Sequence, residues 1–423
     1  MNMHTDASPH AADCDVAIIG AGPAGAAAAA RLSHLGWRVH VIERSHFPRF
    51  AIGESLLPQS MAYLEAAGLL ETVQAAGYQP KNGAAFTRHA RTTTIDFREK
   101  STPGWGTTYQ VPRADFDQRL IHAAEAQGAT LEFGTTVIAF DADATRPTLQ
   151  LEDEQGATRR LSARYVLDAS GYGRVLARLE ALERDPRAEP RMAIFSHVDD
   201  GIEDPDYDRE KILIGVHPED AGIWYWLIPF ADGRASVGIV GDIETLAAHG
   251  DCPETRWQTL IDREPRFRQL LHQARRVREV NEIRGYAASV TRLHGPGYAL
   301  LGNAGEFLDP VFSSGVTIAL HSAHLAAPLV DRQLRGEAID WDADFETPLR
   351  AGVDTFRAFV EAWYAGTLQT IVFHEAPPPR FKRWISGVLA GYAWDHDNPF
   401  VTASRRRLAT LAEVCEQRDK VRS

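Results

Sequence analysis

Four short stretches carry residue types that could do chemistry. The first is Gly20-Ala21-Gly22-Pro23-Ala24-Gly25, which follows the apolar run 15–19 and opens an alanine-rich segment. A carboxylate, Glu43, stands 18 residues past Gly25, with Arg44 beside it. Glycines at this spacing allow a tight turn and close approach of backbone to a pyrophosphate, and the carboxylate can hold a ribose. The second is Lys81, in a chain where only five of the 45 basic residues are lysines. An ammonium that loses its water can shed a proton and hold or capture a small oxidant, which a guanidinium cannot do. The third is the pair Trp224 and Trp226, two apart in GIWYWLIPF (222–230). On a strand both indoles rise from one face, as core or as the wall of a site. The fourth is Ser313-Ser314-Gly315, where free backbone N–H groups at a helix start attract anions; a serine cap is compatible with the same role.

Composition narrows the classes. A formal net charge of −12, without a long basic block, argues against nucleic acid as partner. Three separated cysteines, Cys14, Cys252 and Cys415, suggest neither a disulfide framework nor a zinc site, and point to a reducing compartment. The 16 histidines form no HxxxH or HExxH pattern, so no metal is expected; His89, His321, His324 and His374 read as packing or surface residues. The polar stretch 1–12 reads as a frayed tail rather than a signal peptide, and no run of 18 apolar residues is present, so a cytoplasmic protein is expected.

These residues need elements to hold them. Residues 15–44 read as strand, glycine turn, helix and second strand. Residues 113–141 read as a helix and a strand, and 161–171 as a further strand. Four apolar runs after Pro190, ending with RASVGIVG, predict an antiparallel meander, followed by a helical stretch near 255–276. Residues 298–330 predict a strand, a polar loop and a long helix. The last third reads as helical, broken at Pro377-Pro378-Pro379, with Phe356, Phe359, Trp363 and Tyr364 at helical spacing as core or as the outer wall of an aromatic pocket.

In this order, the glycine turn, DASG (168–171) and GNAGEFLDP (302–310) resemble the FAD-contacting stretches of the glutathione-reductase-type flavoprotein monooxygenases. Within that group, FPRFAIGESLLP (47–58), Lys81 in GYQPKNGAAF, VPRADFD (111–117), WYWLIP (224–229) and FLDPVFSSGV (307–316) make the chain similar to the flavin-dependent halogenases, in the branch acting on phenol or pyrrole rings. The resemblance implies an α/β fold: a discontinuous FAD-binding domain (12–57, 105–186 and 283–337), a substrate domain on an antiparallel sheet (58–104 and 187–282) and a helical C-terminal region (338–423). It implies that a separate flavin reductase supplies reduced FAD, which reacts with oxygen to a flavin hydroperoxide. Chloride or bromide then yields hypohalous acid, which Lys81 directs onto an electron-rich ring, free or carrier-bound.

By the same resemblance Gly20, Gly22, Ala24, Gly25, Glu43, Arg44, Gly53, Glu54, Ser55, Arg113, Asn303 and Asp309 contact FAD. Ser313, Ser314 and Gly315 serve the halide, and Trp224 and Trp226 form a partition between flavin and substrate. Two positions depart from the pattern. Phe312 replaces the glutamate of tryptophan halogenases, which argues against tryptophan as substrate. Asn303 replaces a common aspartate, which implies weaker or altered FAD binding. A hydroxylase, dehydrogenase or prenyl-type reductase on the same fold is the rival reading, since prenyl reductases carry a similar aromatic strand. A catalytically silent flavin-binding partner is a third.

Overall fold

In the computed structural model, which describes residues 12–89, 91–186, 188–375 and 379–422, alanine decides how closely the first helix packs. Helix Pro23–His34 buries Ala24 and Ala26 to Ala30, and it lies against the long helix Ser314–Leu334 and helix Arg113–Ala126. Side chains this small let backbones approach closely, so the glycine turn sits in a fixed frame. Beneath it runs a six-stranded sheet in the order His294–Gly295, Tyr298–Leu300, Tyr165–Asp168, Val16–Ile19, Val39–Glu43, Thr130–Phe133. The last five strands are parallel, so their C-terminal ends, including Glu43 and Asp168, share one rim. The region read as one strand in 113–141 is two, Thr130–Phe133 and Thr135–Asp141, because Gly134 adopts φ of 67° between them.

The expected meander is real in part. Strands Lys211–Val216, Trp224–Pro229 and Arg234–Asp242 are consecutive antiparallel neighbours. Strand Arg191–Asp199, however, crosses to the far side and pairs with Arg234–Asp242, while Gly83–Arg88 joins in parallel beside Lys211–Val216. Periodicity identified each strand, but pairing order depends on long connections that local pattern does not encode. The eight-stranded sheet is covered on both faces. Tyr225 and Leu227 pack on one side with Trp257, Leu260 and Phe267 of the helical stretch Pro253–Leu270. Trp224, Trp226 and Ile228 pack on the other with Phe312, Phe359 and Trp363. The two-residue period thus places both indoles on one face, as expected.

The C-terminal helices Thr347–Tyr364, Thr367–Val372, Pro379–Leu389 and Ser404–Arg422 belong to the Trp side. Pro379 begins a helix; Pro377 and Pro378, like the N-terminal stretch 1–11, lie outside the described residues. Among the described residues no helix is long and apolar enough to cross a membrane.

Candidate active site

A cavity of about 490 Å³ runs from the glycine turn to the Trp face of the large sheet. At one end it is lined by Gly20, Gly22, Ala24, Glu43, Arg44 and Arg49, in the middle by Gly53, Glu54, Ser55 and Arg113, and at the other end by Asn303, Ser313, Gly315, Trp224 and Trp226. Residues far apart in the chain therefore converge on one groove, with dinucleotide-like proportions.

The glycine turn is shaped by contacts rather than by flexibility alone. A Cβ on Gly25 would lie 2.0 Å from the Gly20 carbonyl oxygen, so Gly25 serves close packing inside the turn and does not line the cavity. A Cβ on Gly20, at φ of +97°, would meet the Ala169 carbonyl at 2.6 Å. Glu43 accepts the Ala21 N–H at 2.9 Å and the Ser45 N–H at 3.0 Å, so the carboxylate braces the turn it faces. Asp168, at the end of strand Tyr165–Asp168, accepts the Ser170 N–H (2.9 Å) and the Leu176 N–H (2.7 Å) and sets the loop that forms the opposite lip.

Arg113 lines the middle of the groove, but most of its donors are committed. Nε and Nη2 donate to Asp117 at 2.7 and 2.9 Å, and Nη1 donates to the Ile52 carbonyl at 2.7 Å. Its evident work is to hold the 52–53 backbone against the groove. Glu54 places one oxygen 2.7 Å from His197 Nε2, a partner that sequence reading missed because it arrives from another strand. Arg49 was missed as well. It lines the groove and pairs with Asp117 at 3.3 Å, and the only signal for it was its place in FPRFAIGES.

Two buried polar atoms in the lining have no partner in the fold, Ser55 Oγ and Asn303 Oδ1. Buried polar groups are normally satisfied, so orphans on groove-lining residues point to a ligand that satisfies them. Together with the glycine cradle and Glu43, they fit a flavin dinucleotide.

The indole wall is pinned from behind. Trp226 stands opposite Gly238 in the neighbouring strand, and a Cβ there would lie 2.2 Å from Cζ2 of the indole. The ring thus lies flat over a glycine, and its Nε1 donates to Ser236 Oγ at 3.0 Å. Glycine inside an apolar strand is the sequence signal for such an approach. Trp224 Nε1 donates to Tyr364 Oη at 2.8 Å, and the two indole rings are 5.8 Å apart.

Lys81 does not line the groove. It ends strand Gln79–Lys81 and is 1% exposed, with Nζ donating to the Leu56 carbonyl at 2.7 Å. Leu56 follows Ser55 directly, so the lysine sits just behind the groove wall. No carboxylate contributes to its titration; burial alone lowers its pKa to about 7. Phe97 lies under the amine at 5.4 Å.

Three expected site residues are placed elsewhere. Asp309 does not line the cavity: Oδ2 accepts the hydroxyls of Tyr286 (2.9 Å) and Tyr364 (2.8 Å), and Oδ1 accepts the Val311 N–H. Ser314 is buried behind Ser313, the residue whose left-handed backbone (φ 57°) turns the chain into the long helix. Gly25 serves packing, as above. Phe312 lies in the core, edge-on to Phe359 and Trp363, so that cluster is core, as its spacing predicts. His321 is neutral at any working pH, because burial pushes its pKa down to about 3, and it stacks on Trp394 at 3.9 Å. One group, His294, Asp342 and Glu346, has ligand atoms close enough for a metal, but His294 pairs with Asp342 and Glu346 accepts from Leu293 N–H and Arg350.

The chain matches the FAD binding domain family over residues 13–341. A solved structure from Cytophaga hutchinsonii, described as a flavoprotein/dehydrogenase, superposes with a TM-score of 0.93 at 40% identity, covering 96% of this chain and 99% of that one. A 1H-pyrrole-2-carbonyl-[peptidyl-carrier protein] chlorinase of Pseudomonas fluorescens is 28% identical over 95% of this chain and 94% of its own length. A tryptophan 2-halogenase of Chondromyces crocatus is 29% identical over 76% of this chain, which spans 62% of that protein's length. On the glycine cradle, the orphaned acceptors and these matches, the chain belongs to the FAD-binding family, and among that family's members it is similar to flavin-dependent halogenases.

Proposed function

We propose that the protein halogenates an electron-rich aromatic ring, phenol- or pyrrole-like, using reduced FAD, O2 and chloride or bromide, with Lys81 steering the halogen. The observation that carries this reading is the position of Lys81: a fully buried amine with no acidic partner, one residue behind the groove wall and apart from the groove itself. An ordinary structural lysine at that depth would be paired with a carboxylate. With its pKa lowered to about 7, a large share of the amine is neutral near neutral pH and able to accept an electrophilic halogen or to orient hypohalous acid by hydrogen bonding.

FAD would lie with its pyrophosphate at Gly20 and Gly22, near Ala24, its ribose at Glu43 with Arg44 at the rim, and its ring system among Gly53, Glu54, Ser55, Asn303 and the indoles. When bound and reduced it supplies the two electrons that activate O2. The chain's own residues do the rest. Arg113 holds the 52–53 backbone, Gly315 presents its backbone N–H to a halide while the Ser313 N–H is held by the Pro310 carbonyl at 2.9 Å, and Trp224 and Trp226 keep a substrate ring from the flavin. Residues 12–57, 105–186 and 283–337 would then act as the cofactor domain and 58–104 with 187–282 as the substrate domain, the helical 338–423 closing the substrate side. A flavin reductase would deliver reduced FAD. The carrier-bound substrate named for the Pseudomonas chlorinase makes a carrier-linked pyrrole the first candidate to try beside free phenols.

The test supplies FAD, a flavin reductase, O2 and bromide with free and carrier-linked phenols and pyrroles, and reads products by mass spectrometry. Halogenated product from the wild-type protein, lost by about 10²-fold or more in Lys81→Ala while FAD still binds, is expected. Undiminished halogenation in Lys81→Ala would sink the role of the lysine. A second reading, a flavin enzyme without halide chemistry, draws on the 40% identical relative described as a flavoprotein/dehydrogenase. It requires product formation or NAD(P)H oxidation without a separate reductase and without halide.

A further inference from the structure

The two indoles of the wall are anchored by different parts of the chain. Trp226 makes its hydrogen bond within its own sheet, to Ser236 Oγ, and its ring lies over Gly238 of the neighbouring strand. Trp224 depends on a residue 140 positions away: its Nε1–H donates to Tyr364 Oη, the last residue of helix Thr347–Tyr364 in the C-terminal region. Tyr364 in turn donates to Asp309 Oδ2, and Tyr286 donates to the same oxygen.

We infer that Tyr364 is a positioning residue which locks the Trp224 indole into the groove wall and ties that wall to the Asp309–Gly315 loop through Asp309. This rests on the reading of the indoles as a partition.

The direction of the chain of bonds follows from the groups themselves. An indole N–H only donates, a carboxylate only accepts, and a phenol can do both, so Trp224 to Tyr364 to Asp309 has a single polarity. Burial and the charge on Asp309 push both phenols well above their ordinary pKa, so they stay protonated and keep donating. Among the described residues Arg191 is the cation that lies against the cluster. Its guanidinium carbon sits 3.4 Å from the centre of the Tyr364 ring, covering the phenol without replacing any bond in the relay. On the far side of Asp309, Pro310, Ser313 and Gly315 line the groove, and Tyr286 packs edge-on against Phe307, which also lines it. A shift of the C-terminal helix would therefore disturb the indole and the anion-binding loop together. Removing the phenol hydroxyl leaves a buried indole N–H unpaired and Asp309 short of one donor, which is costly at such a site.

The first measurement uses the wild-type protein with no substrate. Indole N–H exchange is followed by 15N NMR, with Trp224 and Trp226 assigned through Trp224→Phe and Trp226→Phe. Strong protection of both indoles is expected; exchange of Trp224 as fast as an exposed indole would overturn the claim. In Tyr364→Phe the Trp224 signal should shift and lose at least tenfold in protection while Trp226 keeps its own. Equal loss at both would mark general loosening and overturn the specific link.

With FAD bound to saturation, Tyr364→Phe should raise hydrogen peroxide formed per halogenated product at least threefold. In that uncoupled path two electrons and two protons pass from reduced FAD to O2, giving H2O2 and no carbon–halogen bond. The double variant Trp224→Phe/Tyr364→Phe should be worse than Trp224→Phe by less than the effect of Tyr364→Phe alone, because the indole bond, one of the two that Tyr364 makes, is already gone. Additive effects would refute the coupling. If the wild-type protein halogenates nothing in the panel, the halogenase reading falls, and indole exchange decides the positioning claim by itself.

Discussion

The cofactor end and the lysine end of this molecule are built on opposite terms. The groove is open, lined by a glycine turn, and holds two buried polar atoms, Ser55 Oγ and Asn303 Oδ1, that the fold leaves without partners. Lys81, one residue behind that lining, is sealed, 1% exposed, and its amine is satisfied by the Leu56 carbonyl. One end is an accessible groove, whereas the other is closed to solvent at the amine. The segment 96–105 and the C-terminal stretch 383–395 interlock near this second end, through Thr102 to Asp395, Tyr392 to the Trp105 carbonyl and Ser386 to the Asp96 carbonyl. Preorganisation suits a large ligand that must fit without rearrangement, and closure keeps the amine out of bulk water.

The largest effect should come from attacking the open end at its tightest contact. Gly25→Val would put a branched side chain where a Cβ already lies 2.0 Å from the Gly20 oxygen, a backbone atom, with Ala169 Cβ at 3.4 Å beside it. The purified variant should bind no FAD, read as loss of the 450 nm flavin band after incubation and desalting. Retention of stoichiometric flavin would show that the turn is not the preformed element the comparison claims.

At the closed end the matching test is titration. Lys81 has a folded-state pKa of about 7, below its ordinary value of 10.5. Between those limits the unfolded chain holds a proton that the folded chain lacks, so stability rises with pH across that window and is flat in this term below and above it. Lys81→Met removes the term. Its advantage over the wild type should be greatest at pH 7 and below, and should shrink by up to about 1.4 kcal/mol per pH unit as pH rises. Urea unfolding at pH 6.5, 7.5 and 8.5 measures it. A difference independent of pH would mean that the amine keeps its charge and water in solution, and that the end is not sealed.

A smaller effect is expected from the indole face of the groove. Gly238→Val collides with the Trp226 indole at 2.2 Å, and the ring has to leave the strand surface. Overpacking of this kind costs about 1–3 kcal/mol. The thermal midpoint should fall by several degrees, and hydrogen peroxide per halogenated product should rise while flavin content is kept. An unchanged product ratio with a displaced indole would remove Trp226 from the partition.

What sequence reading could see here divides along physical lines. The glycine turn with Glu43 is a contiguous device, and its chemistry is spelled in adjacent residues. The shared face of Trp224 and Trp226 follows from strand period alone. The parallel insertion of Gly83–Arg88 beside Lys211–Val216 has no such local cause, and neither has the meeting of His197 with Glu54. Asp309 is the instructive case. Its position beside the flavin loop suggested a cofactor contact, but two tyrosines from distant helix and loop claim its oxygen, and no spacing rule announces them. Gly238 lay between the two: a glycine inside an apolar strand signals close approach, and only the register says which ring approaches.

The mildest change belongs to the open end, at Asn303. Its side-chain oxygen is buried, unpaired within the fold and part of the groove lining beside Ser313 and Gly315. If that oxygen accepts one hydrogen bond from bound FAD, Asn303→Ala removes a single neutral bond, worth about 0.5–1.5 kcal/mol net. The FAD dissociation constant should rise by roughly three- to tenfold. Asn303→Asp keeps an acceptor at the same place, so it should stay within about threefold of the wild type, which separates loss of the bond from loss of packing. Flavin fluorescence quenching on titration reads all three proteins under one condition. Equal affinity in Asn303→Ala would mean that the orphaned oxygen is satisfied by water rather than by the flavin. Preorganisation would then reside in the glycine turn and the 53–55 backbone, and Ser55 would be the remaining orphan to test.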